Sequence, residues 1–102
     1  MKTKKLPWLL LLALGLPAWG ADISQLGRNL AATCANCHGT NGQARGEMKP
    51  LAGVPAAKIV ATMADYKSGN LPATIMHQIA KGYTDEQIQL MAGYFAAQPA
   101  KQ

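Results

Sequence analysis

The 102-residue chain has only two cysteines and two histidines, and nowhere does it sustain the alternation of β-branched residues that marks a strand. Lacking that alternation, it is not built on a sheet. The single cysteine pair, Cys34 and Cys37, closes a loop too short to stabilise a fold through chain entropy. No internal repeat, low-complexity segment or linker interrupts the sequence. A clustered basic face is missing too. The formal charge of +5 includes Lys2, Lys4 and Lys5 at the extreme start. Beyond them Arg28, Arg45, Lys49, Lys58, Lys67, Lys81 and Lys101 are scattered among five acids, which excludes a nucleic-acid footprint.

The first twenty residues have the layout of a secretory leader. Three lysines precede Leu6 to Leu16, where only Pro7, Trp8 and Gly15 depart from aliphatic side chains, and Ala18-Trp19-Gly20 supplies a small-x-small exit. A retained membrane anchor is the rival, but the apolar stretch falls short of the ~20 residues a bilayer span needs. The expectation is cleavage after Gly20. Ala21 to Gln102 then forms one exported, periplasmic domain with no stable membrane span.

Helical signals fill that domain. Ile23, Leu26, Leu30, Ala31 and Cys34 recur at helical spacing and predict an amphipathic helix running up to the cysteines, with Asp22 or Ser24 as its cap. A second helix is predicted from Pro55 to about Lys67, closed by Ser68-Gly69, with Ile59, Val60, Met63 and Tyr66 as its buried stripe. Thr84 followed three residues later by Gln87 reads as a capping box, and Ile88, Met91 and Phe95 line one face of the helix it opens. A shorter helical turn covers Ala73 to Lys81 and ends at Gly82. The fold class is therefore all-α, three or four short helices joined by long loops. A domain of roughly 80 residues buries little surface and usually needs a staple. Long loops in so small a domain point to a wrapped ligand.

That ligand is indicated by "CANCH", residues 34 to 38. Cys-x-x-Cys-His is the attachment signal for c-type haem. Two thiols one helical turn apart each add to a vinyl group, and the next residue points its imidazole at the iron. A disulfide between Cys34 and Cys37 would sit strained in a helix. A thioredoxin-like pair wants a βαβ setting that is absent. A zinc site would need Cys34, Cys37, His38 and His77, with adjacent Cys37 and His38 poorly placed for two corners of one tetrahedron. For a second axial ligand the domain offers His77, Met48, Met63, Met76 and Met91. Met63 and Met91 fit apolar helix stripes, Met48 lies in the loop on the histidine's own side, and Met76 and its neighbour His77 stay in contention.

The segments "LAATCANCHGTNG", "KPLAG" and "LPATIMHQIAKGYTDEQIQLMAGYFAAQ" resemble the class I c-type cytochromes. The nearest likeness is to the small bacterial c553 and c4-type domains and to the cytochrome subunit of flavocytochrome c sulfide dehydrogenase. The resemblance implies a class I fold around one covalently bound haem c. It implies iron ligation by His38 and by the methionine eight residues before the Thr-Asp helix start, which is Met76. It also implies that the carbonyl of Pro50 accepts the ring N–H of His38, and that Gly27 packs against Tyr94 or Phe95 where the first and last helices cross. A c4-type protein has two haem domains, whereas this chain carries one haem motif.

The function so implied is one-electron transfer by a periplasmic carrier, not catalysis on a substrate. Redox partners would be a flavoprotein dehydrogenase subunit, with a tightly bound cytochrome subunit of such an enzyme as the alternative reading, or a terminal oxidase. Two further alternatives are a haem enzyme handling peroxide or a small gas and a bis-histidine carrier using His77.

Overall fold

The computed structural model describes residues 19–100, so the expected leader, Trp19 and Gly20 aside, lies outside the described residues. Helix α1 spans Trp19–Ala31 and passes through a 3-10 turn, Ala32–Cys34, into the short α2, Ala35–His38. A second 3-10 turn, Thr40–Gly42, opens a long loop. Then follow α3 (Ala56–Ser68), α4 (Met76–Lys81) and α5 (Asp85–Ala96). No strand occurs among the described residues.

The crossing of α1 and α5 positions everything else. Ala31 and Ala92 are buried there, and Ile88, Met91 and Phe95 complete the core from α5. Gly27 allows the close approach. A Cβ built on it would stand 2.9 Å from the carbonyl oxygen of Leu90. This corrects two expectations. The glycine meets the backbone at Leu90, a turn before the aromatics, and Phe95 instead lies against Gly42. The face of α1 turned to the core is also narrower than its apolar pattern implied, since Ile23 and Leu26 are 60% and 48% exposed. Close helix contact is made by small residues, and large side chains flanking the crossing are left outside it.

The other ends follow local chemistry. Thr84 Oγ1 accepts from the N–H of Gln87 at 3.1 Å, while the Thr84 N–H donates to Gln87 Oε1 at 2.9 Å, so both halves of the capping box form. Asp85 and Glu86 sit in the first turn, where the helix dipole favours them. Helix α3 starts after Pro55 and ends at Gly69 in the left-handed region, φ 83°. Ile59, Val60 and Met63 of α3 pack on the core cluster. The long loop is pinned back by Gly42, whose carbonyl accepts from the N–H groups of Leu51 and Ala52, and by the Gly53 N–H, which donates to the Phe95 carbonyl at 2.9 Å.

Two substitutions of one kind should act oppositely. Gly27→Ala forces a methyl into the α1–α5 contact and should destabilise by about 1–3 kcal/mol. Gly93→Ala, on the exposed side of α5 with nothing within 4 Å of a new Cβ, should stabilise by up to about 1 kcal/mol. Guanidinium unfolding of the two variants beside the parent measures both signs.

Candidate haem site

The cysteines and His38 are delivered by the junction of α1 and α2. Cys34 is the last residue of the 3-10 turn, and Cys37 and His38 are the last two of α2. Both thiols are unpaired, so no disulfide competes for them. Burial raises the Cys34 thiol above its usual pKa. Gly39 then turns the chain sharply. It takes φ 83°, and a Cβ there would fall 2.2 Å from the Gln43 carbonyl oxygen, so only glycine fits directly behind the histidine.

The turn brings the following loop back onto the imidazole. His38 Nδ1 lies 2.8 Å from the carbonyl oxygen of Lys49. A carbonyl only accepts, so Nδ1 carries the proton and Nε2 keeps its lone pair for a metal. The expected donor–acceptor pair is thus corrected by one residue: the oxygen belongs to Lys49, not to Pro50. Proline holds the residue before it in an extended conformation, so Pro50 shapes the Lys49–Pro50 peptide that makes the contact without lending its own carbonyl.

The remaining candidates separate by position. Met76 opens α4 and is half-buried. His77 has its Nδ1 buried with no hydrogen-bond partner among the described residues, and it lines a cavity of about 260 Å³ together with Tyr66, Lys67 and Lys81. Met48 is 44% exposed and directly precedes Lys49, whose carbonyl sits on the Nδ1 side of His38, away from Nε2. Met91 is 3% exposed within the core and Met63 packs beside it, as their helix stripes indicated. Two hydroxyl contacts had no sequence signal. Tyr83 and Thr33 meet through their hydroxyls at 2.8 Å, and the Tyr94 hydroxyl donates to Asn41 Oδ1. Polar pairs some fifty residues apart leave no periodicity to detect.

These residues fit a covalent haem. Two free thiols stand beside an imidazole whose tautomer leaves Nε2 free. The polypeptide core is thin: among the described residues no large side chain is fully buried, while Met48, Leu71, Ile75 and Ile79 remain exposed apolar surface that a flat apolar group can cover. Zinc does not fit. No group of three or more His, Cys, Asp or Glu residues converges among the described residues. The protein matured in a host that forms haem thioethers should show, in denaturing mass spectrometry, the peptide plus one haem and no thiol reactive toward Ellman's reagent. Cys37→Ser should retain at most one thioether, with haem yield reduced severalfold.

The comparisons with known proteins agree with this site. Residues 24–98 match the family model described as Cytochrome c. The cytochrome subunit of sulfide dehydrogenase from Chlorobaculum tepidum is 39% identical over 69 residues, covering 68% of this chain and 63% of that protein. The thiosulfate dehydrogenase electron acceptor of Stutzerimonas stutzeri is 35% identical over 96 residues, covering 87% of this chain and 44% of that one. The chain thus spans less than two thirds of the length of either relative. Among solved structures, cytochrome c4 of Acidithiobacillus ferrooxidans superposes with a TM-score of 0.69 at 27% identity, over 74% of this chain and 49% of the other. With its all-helical fold and the free Cys34–Cys37 pair before a metal-ready His38, the chain belongs to the cytochrome c family and carries a covalent haem c.

Proposed function

We propose that the chain is a periplasmic one-electron carrier whose haem iron is held by His38 and Met76. It would receive electrons from a dehydrogenase that oxidises a reduced sulfur compound. Bound haem supplies a one-electron couple, and a soft neutral sulfur ligand favours its reduced state. The observation that carries this reading is the bond from His38 Nδ1 to the Lys49 carbonyl, which orients the imidazole and leaves Nε2 as the nitrogen that would face a metal. The sequence register supports Met76 as the opposite ligand, eight residues ahead of the Thr84 cap. His77 is the weaker candidate because it borders the cavity beside Tyr66 and Lys67 of α3. With His38 and Met76 both holding the iron, no position would be left for a substrate, which would separate a carrier from a haem enzyme.

The relatives' roles support the partner class. One is a cytochrome subunit of a sulfide dehydrogenase and another an electron acceptor of a thiosulfate dehydrogenase. A flavoprotein dehydrogenase subunit fits the first kind of partner, engaged either transiently or as a fixed complex. Secretion by the expected leader, with cleavage after Gly20, would place the carrier in the periplasm. Among the described residues no helix is long and apolar enough to cross a membrane.

Met76→Ala should remove the long-wavelength charge-transfer band of a sulfur-ligated ferric haem, lower the midpoint potential and let added imidazole bind. His77→Ala should leave the band and the potential unchanged. Spectroelectrochemical titration of both variants decides the assignment. A parent that lacks the band, with a midpoint potential that moves in His77→Ala and not in Met76→Ala, would reverse it.

A further inference from the structure

The segment that presents Met76 is poorly supported from within. Helix α4 has six residues, and its cap position, Ile75, makes no side-chain capping bond. A helix so short is marginal without tertiary anchors. Ala80, with 0% exposure, is one anchor. Tyr83 is the other. It follows α4 by two residues, its N–H donates to the Ala80 carbonyl at 3.3 Å, and its ring packs on the core cluster. Its hydroxyl meets Thr33 Oγ1 at 2.8 Å, across 50 residues of sequence. The Thr33 hydroxyl donates to the Leu30 carbonyl at 3.1 Å, so its single proton is committed and the Tyr83 hydroxyl is the donor in the contact.

Thr33 is the residue next to Cys34. The Tyr83–Thr33 bond therefore joins the end of α4, which carries Met76 at its start, to the turn that carries the first haem thioether. We propose that Tyr83 is a positioning residue for the iron's methionine ligand, a latch that holds α4 against the haem attachment turn and keeps Met76 in place. This rests on the assignment of Met76 as ligand. Without the hydroxyl, α4 keeps its apolar contacts but loses its only side-chain hydrogen bond to the Cys34 turn among those described, and it can tilt to release the sulfur. Transient release exposes the iron to added ligands.

The test is imidazole binding to the haem-loaded ferric protein, followed optically, in the parent, Tyr83→Phe, Thr33→Val, the double variant and Met76→Ala. Guanidinium midpoints of all five are recorded alongside. Tyr83→Phe should bind imidazole about fivefold more tightly than the parent, the scale of one neutral hydrogen bond. Thr33→Val should match it, and the double variant should add nothing further, because both remove the same bond. A gain in Tyr83→Phe that Thr33→Val does not share, or gains that multiply in the double variant, would overturn the latch. So would imidazole affinities equal to the parent's in both single variants while Met76→Ala binds far more tightly. If the parent itself binds imidazole as tightly as Met76→Ala, the ligand assignment fails instead, and the latch with it.

Discussion

The polypeptide cannot fill its own interior. Its core cluster is Ala31, Ile88, Met91 and Phe95, all at 3% exposure, with partly buried neighbours packed around it and, among the described residues, no large side chain fully enclosed. Burial of apolar surface is the main force available to a small domain, and here the protein atoms bury too little of it. Every other feature follows from that shortage. Leu71, Ile75 and Met48 stand exposed, and the two thiols are free to fasten an apolar group that covers such surface. A covalently held haem serves as cofactor and as core at once.

The fastening is asymmetric. On the histidine side, a glycine that alone can turn behind His38 returns the loop so that a backbone carbonyl fixes the imidazole. On the side of the proposed ligand Met76, a six-residue helix without a side-chain cap packs along α3 and relies on Ala80 and Tyr83. The histidine is set by local backbone geometry, the methionine by tertiary contacts.

Much of this was legible in the residues. The Thr84–Gln87 box, the Gly69 end of α3 and the haem motif depend on chemistry within a few residues and stand where expected, while Pro55 precedes α3 as its cap instead of opening it. Three things were not. The stripe on α1 overstated the burial of Ile23 and Leu26, because helices that cross closely do so on Gly27 and Ala31, and hydrophobicity alone does not distinguish flank from seam. The carbonyl facing His38 fell one residue early, at Lys49, because a motif carries the proline but not the orientation of its preceding peptide. The Tyr83–Thr33 and Tyr94–Asn41 contacts are tertiary and polar, and only the folded chain reveals them.

The dependence of the fold on its covalent cofactor is tested most directly by unfolding the protein with and without the attachment sulfurs. The mature Cys34→Ala/Cys37→Ala chain, free of haem, should show a weak far-ultraviolet helical signal and no cooperative guanidinium transition, whereas the haem-loaded parent unfolds in one step. A haem-free double variant that unfolds cooperatively, with the parent's helical content and a similar midpoint, would contradict the account.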